Sequence, residues 1–126
     1  MDIIITNNSD KPIYDQIKEQ IKEMILSGEL KEGDALPSMR LLAKELRISI
    51  ITTKRAYEEL ERDGYIESYT GKGSFVKGIN HDVVREGVLY EIEELFEVAV
   101  GKARLAKLSY KELEERLKLL YEESEK

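Results

Sequence analysis

"ISIITTKRAY", Ile48–Tyr57, decides how the rest of the chain is read. Ser49 has a hydroxyl able to accept from the free amides of a first helical turn, so a helix is expected to start just after it. From there Thr53, Ala56, Tyr57 and Leu60 recur every three or four residues and mark a buried side. Upstream, "RIS" reads as a tight turn, and Ser38 is placed to cap a shorter helix in which Leu41, Leu42 and Leu46 are expected to face inward. Two capped helices across a tight turn make a helix-turn-helix, whose second helix enters the major groove of DNA. Ile50 and Ile51 resist that reading, because they stand at the leading end of the helix, where a base-reading surface is ordinarily polar.

Working outward, Ile13, Ile17, Ile21, Met24 and Ile25 fall at helical spacing, and Gly28 stops that helix. Before it, Ile3–Ile5 reads as a short strand, and Asp10 as a cap ahead of Pro12. "GELKEGDALP" is a loop. On the other side, Gly64 ends the third helix. "YIESYTGKGSFVKG" then gives two short strands, with Tyr65, Ile66 and Tyr69 on one and Phe75 and Val76 on the other, joined by "TGKG". The order of elements is that of a winged helix-turn-helix over residues 1–78. The fold class expected is mainly α with a small β wing.

Residues 79–126 have another character. Val84, Val88, Leu89, Ile92, Leu95, Phe96 and Ala99 step by three and four along a glutamate-rich helix. "SYKE", Ser109–Glu112, is a capping box opening a last helix with Leu113, Leu117, Leu120 and Tyr121 on one side. Two amphipathic helices do not make a self-sufficient core. Burying one Leu or Phe contributes about 1.5–3 kcal/mol, so six or seven such side chains per chain are enough to hold a homodimer through this two-helix tail. The alternative is that the helices fold back on the winged domain as a monomer.

The chain carries a net charge of −6, which alone argues against a nucleic-acid partner. The distribution argues otherwise. Between Ser38 and Tyr57, Arg40, Lys44, Arg47, Lys54 and Arg55 face a single acid, Glu45, and the wing adds Lys72 and Lys77. A basic face on an acidic body suits DNA. No run approaches the ~18 apolar residues of a membrane span. Without cysteine there is no disulfide, thiol nucleophile or thiolate metal site. A cytoplasmic protein with no membrane partner, cofactor or metal is expected. It is not expected to be an enzyme: His81 is the only histidine and reads as cap or linker, and "TGKGS" lacks the spacing of a phosphate loop.

"LPSMRLLAKELRIS" followed by "TTKRAYEELERDGYIESYTGKGSFV" resembles the DNA-binding domain of the GntR family of bacterial transcriptional regulators. "KPIYDQIKEQIKEMILSGELKEGDALPS" is similar to that domain's first helix and connecting loop, and the short tail resembles the YtrA-like branch. The resemblance implies a homodimeric repressor on an inverted-repeat operator, often near its own gene and those of an ABC transporter.

On that basis Ser38, Arg40, Ser49, Thr52, Lys54 and Arg55 are candidate DNA contacts, with Arg40 on a phosphate or a guanine edge, Lys54 and Arg55 on phosphates, and Thr52 on a phosphate or base edge. Gly71 and Gly73 bracket Lys72 at the wing tip, where glycine lets the backbone approach the minor groove. At the positions of Ile50 and Ile51 the family pattern has an arginine and a polar residue. The thymine methyl is the one apolar feature of the major groove, so these isoleucines are expected to favour A·T; otherwise one packs inward and the other is merely exposed. The dimer candidates are Val84, Val88, Leu89, Ile92, Leu95, Phe96, Leu113 and Leu117. A small-molecule effector lodged between the tail helices would shift the two recognition helices, but the sequence names no ligand. The competing class is a winged-helix protein-interaction module without specific DNA binding.

Overall fold

The computed structural model describes residues 1–125, apart from the side chain of His81. It divides into two compact units, Met1–Ile79 and Asn80–Lys126. The first holds α1 (Ile13–Leu26), α2 (Met39–Leu46), α3 (Ile50–Arg62), β1 (Ile66–Tyr69) and β2 (Gly73–Val76), the order of a winged helix-turn-helix. The second holds α4 (His81–Leu105) and α5 (Tyr110–Ser124).

The core of the first unit follows the helical period. Ile17, Ile21 and Ile25 lie four apart on α1 and are buried, as are Ala56, Tyr57 and Leu60 on α3, with Ile66 from β1. α2 is only eight residues long, too short to persist without packing. It buries Leu42 and Ala43, whereas Leu41, expected inward, is 48% exposed. Successive residues turn by about 100° on a helix, so one narrow stripe cannot hold Leu41 and Ala43 together, and the smaller side chain takes the close approach.

The helix ends are set by local chemistry. Ser38 Oγ accepts from the Leu41 amide at 3.1 Å, and Ser49 Oγ from that of Ile51 at 3.1 Å. After α2 the chain turns through Arg47 at φ 56°, with Arg47 N donating to Lys44 O and Ile48 N to Ala43 O. This is the Schellman pairing, here with arginine in the left-handed position that glycine usually takes. Gly64, at φ 86°, ends α3 in the same way.

Three local expectations are corrected. Asp10 does not cap α1: the helix begins at Ile13, so the cap position belongs to Pro12, and no side chain bonds there. A side chain further upstream is out of reach of the first free amides. Ile3–Ile5 forms no strand. Instead, two glutamines one turn apart on α1 serve as its backbone partners. Gln20 accepts from Ile4 N at 2.8 Å and donates to Ile4 O at 2.7 Å. Gln16 accepts from Thr6 N at 2.9 Å and donates to Thr6 O at 3.0 Å. Finally, part of the loop "GELKEGDALP" joins the sheet. β1 and β2 pair antiparallel with Ile66 opposite Val76 and Tyr69 opposite Gly73, and Ala35 bridges to Phe75 on the far edge of β2. Leu36 N donates to Ser74 O and Val76 N to Asp34 O, both at 2.9 Å, so that edge of β2 is paired rather than left open.

In the second unit, Asn80 Oδ1 accepts from Asp82 N, and Ser109 Oγ accepts from Glu112 N. Ala103 is buried at the turn into α5, but α5 buries no residue of its own. Leu95, Phe96, Leu117, Leu120 and Tyr121 are all exposed, while Val84, Val88 and Leu113 are half-buried. Phe96, Ala99, Val100, Leu113, Leu117 and Leu120 line an apolar groove of about 440 Å³ between α4 and α5. No helix among the described residues is long and apolar enough to cross a membrane.

Candidate nucleic-acid interface

The site is built on the relation between α2 and α3. Thr53, fully buried on the inner side of α3, donates from Oγ1 to Ile50 O at 2.8 Å and to Met39 O at 3.2 Å. One turn on, the Tyr57 hydroxyl reaches Pro37 O at 2.7 Å. Burial pushes the Tyr57 phenol well above its ordinary range. The inner face of α3 thus holds the residues on either side of Ser38, which fixes the start of α2 against the start of α3.

Ser38 and Arg40 at the start of α2, and Ser49 just before α3, are exposed. Both serines already accept from backbone amides, so capping accounts for them whether or not DNA is near. At the start of α3, Ile50 is 44% and Ile51 is 78% exposed, Thr52 is half-buried and Lys54 is exposed. Neither isoleucine is taken up by the core: Ile50 is partly covered, while Ile51 stands open. The wing tip carries Gly71, Lys72 and Gly73, all exposed. Both glycines have positive φ, 77° and 103°, so the hairpin itself requires them.

The cations separate into two sets. None of the ion pairs among the described residues involves Arg40, Lys44, Arg47 or Lys72. Lys54 has only a solvent-exposed contact with Glu58 at 3.8 Å. These side chains can neutralise phosphates without breaking an internal bond. Lys44 and Arg47 enter this set on their freedom from partners, which a count of charges in the sequence does not reveal.

Arg55 is different. Its Nε donates to Glu59 Oε2 at 3.2 Å, its Nη2 donates to Tyr14 Oη at 3.0 Å, and its guanidinium carbon lies 3.7 Å from the Tyr14 ring centre. Lys18 continues the same seam between α1 and α3, with Glu59 at 3.4 Å and Asp63 at 3.3 Å. Burial works against the Lys18 charge, but Asp63 and Glu59 outweigh it and hold the ammonium above its ordinary 10.5. Partial burial likewise opposes the Glu59 charge, and the hydrogen bonds from Arg55 and Lys18 override it, holding the carboxyl below its ordinary 4.5. No group of three or more His, Cys, Asp or Glu among the described residues is arranged to hold a metal ion.

Residues 13–76 match the family model for bacterial regulatory proteins of the gntR family. Over 116 residues the chain is 37% identical to the HTH-type transcriptional repressor YtrA of Bacillus subtilis (strain 168), a match covering 92% of this chain and 89% of that one. The crystal structure of a transcriptional antiterminator from Listeria monocytogenes EGD-e superposes with a TM-score of 0.77 at 29% identity, covering 98% of this chain and 90% of that one. The complex of AraR(DBD) with operator ORX1 superposes with a TM-score of 0.54 at 25% identity, over 60% of this chain and 95% of that one.

Proposed function

The chain belongs to the gntR family of bacterial regulatory proteins, in its YtrA-like branch, and from that premise we propose that it is a homodimeric repressor binding an inverted-repeat operator near its own gene. The observation that carries the DNA-binding part is the set of unpaired cations, Arg40, Lys44, Arg47 and Lys72, on the same unit as the exposed start of α3. Phosphate contacts from this set position the protein, and the residues at the start of α3 read the bases. Ile50 and Ile51 leave the thymine methyl as the feature they can pack against, so the half-site favours A·T there.

The dimer rests on the apolar side chains that a single chain leaves open on α4 and α5. Leu89, Ile92, Leu95, Phe96 and Leu117 are exposed, and a second copy of the same helices would cover them. Two-fold symmetry then places two α3 helices on half-sites about 34–36 Å apart. The branch suggests ABC transporter genes as further targets. An effector entering the groove between α4 and α5 would compete with or reshape that contact.

Fluorescence anisotropy against DNA from upstream of the protein's own gene, across a salt series with scrambled DNA as control, tests the reading. Selective binding that weakens steeply with salt is expected. Equal, weak, salt-insensitive binding of both DNAs would favour the protein-interaction module instead.

A further inference from the structure

We propose that Arg55 is a positioning residue, which sets the rotation of α3 through Tyr14 and Glu59 and does not contact a phosphate; this rests on the DNA-binding reading above. The sequence gives Arg55 the appearance of a DNA-facing cation beside Lys54. The structure lays it along the helix pair, held by Tyr14 and Glu59 although its side chain is 60% exposed. Tyr14 and Lys18 lie four apart on α1, while Arg55 and Glu59 lie four apart on α3 and Asp63 follows at the same spacing just past its end, so the two rows meet as a ladder. Arg55 joins it with a stacked face and two hydrogen bonds to different partners. Lys18 and Glu59 are 16% and 18% exposed in their side chains, so the inner rung is screened by salt less than a surface pair would be.

Ile51 lies four residues before Arg55 and therefore on the same face of α3, one turn nearer the exposed end. Side chains reach about 5–6 Å from a helix axis, so a rotation of about 10° moves their tips by about 1 Å. Thr53 and Tyr57 fix the inner side of α3, and the Tyr14–Arg55–Glu59 arrangement fixes its flank. A reaching movement of Arg55 to a phosphate would give up the ring stack and one of the two cations that hydrogen-bond Glu59. Lys54, on the adjoining face with only a loose partner, has no such tie.

Salt dependence separates the two roles. A side chain that neutralises a phosphate contributes about 0.9 to the slope of log K against log salt, whereas one that only orients the helix contributes nothing to it. The probe is the duplex most enriched from a random library by the wild-type chain, with a scrambled duplex as control. Arg55→Gln and Tyr14→Leu are each expected to lower the preference for the selected duplex by about two- to five-fold with the slope unchanged, and their double variant to lose no more than either alone. Lys54→Gln is expected to lower the slope by about 0.9. Tyr14→Phe, which keeps the ring and removes one hydroxyl, is expected to give a smaller loss at unchanged fold and slope. A slope reduced by Arg55→Gln as much as by Lys54→Gln, or an unchanged preference in Arg55→Gln and Tyr14→Leu alike, would overturn the positioning role alone. A wild-type chain that enriches no duplex would instead sink the DNA-binding reading, and the positioning role with it.

Discussion

Tyr57 and Pro37 are joined by a 2.7 Å hydrogen bond from the buried phenol of α3 to the carbonyl immediately before the Ser38 cap of α2. The same side chain fills the centre of the core and fixes where the helix-turn-helix begins. Tyr57→Phe preserves the ring and leaves the Pro37 carbonyl without that donor. A loss of about 1–2 kcal/mol is expected, seen as a lower urea midpoint at unchanged slope. A midpoint equal to wild type would show that the carbonyl is satisfied without Tyr57.

Ile51 is 78% exposed, so Ile51→Ala should leave stability within about 0.5 kcal/mol. Ile50→Arg should shift the preferred base at the contacted step toward G, because a guanidinium pairs with the two acceptors on the guanine edge. Selection from a random duplex library reads this directly. The same preferred sequence for Ile50→Arg and wild type would remove Ile50 from base recognition.

Gln16 and Gln20 act as a two-rung ladder for the segment around Ile4 and Thr6. The double variant Gln16→Leu/Gln20→Leu should release that segment, raising amide exchange at Ile4 and Thr6 while the amides of α3 stay protected. Because Gln16 is itself buried and also donates to Lys11 O at 3.0 Å, a stability loss of about 1–2 kcal/mol should accompany the release. Unchanged exchange at both amides would mean that the glutamines do not hold the segment.

The seam between α1 and α3 gives a pH dependence of definite sign. The carboxyl of Glu59 lies below 4.5 when folded, so its contribution is complete above pH 4.5 and is lost as the pH falls through the lower folded value. The Lys18 ammonium lies above 10.5, so its contribution is complete below pH 10.5 and is lost as the pH rises through the higher folded value. The Tyr57 phenol, raised from 10.0 by burial, adds to the alkaline loss. Unfolding free energy should therefore show a plateau between about pH 5 and about pH 9.5, as far as these three groups are concerned. Glu59→Gln should shallow the acid limb and Tyr57→Phe the alkaline one. Limbs unchanged in both variants would place the titrating groups elsewhere.

Phe96 borders the groove between α4 and α5 and is half exposed in the single chain. If a second copy covers it, Phe96→Glu puts a charge into a desolvated contact and should convert the protein to a monomer. Sedimentation equilibrium should then give twice the chain mass for wild type and a single chain mass for the variant. Equal masses in the two would remove Phe96 from the interface.

The helices and the wing were legible because their signals act over a few residues. Ser38, Ser49 and Ser109 cap the turns they precede, Gly28 and Gly64 take the left-handed positions that end α1 and α3, and the spacing of Thr53, Ala56, Tyr57 and Leu60 marks the face that α3 buries. Those choices are made by backbone geometry and helical period, which any local stretch carries with it. The expectation that Leu41 faces inward fails because Leu41 and Ala43 are both apolar and only the neighbouring helix decides between them, here for Ala43. Nor could the sequence show that the Ile4 and Thr6 backbones would find glutamines rather than a strand, or that Ala35 would pair with β2. Arg55 is the clearest case. Its sequence neighbours make it one cation of a basic stretch, and its stack on Tyr14, 41 residues away, exists only once α1 and α3 have packed. Local rules mark the helices and the two strands of the wing. What a charged side chain is free to touch depends on distances that packing alone sets.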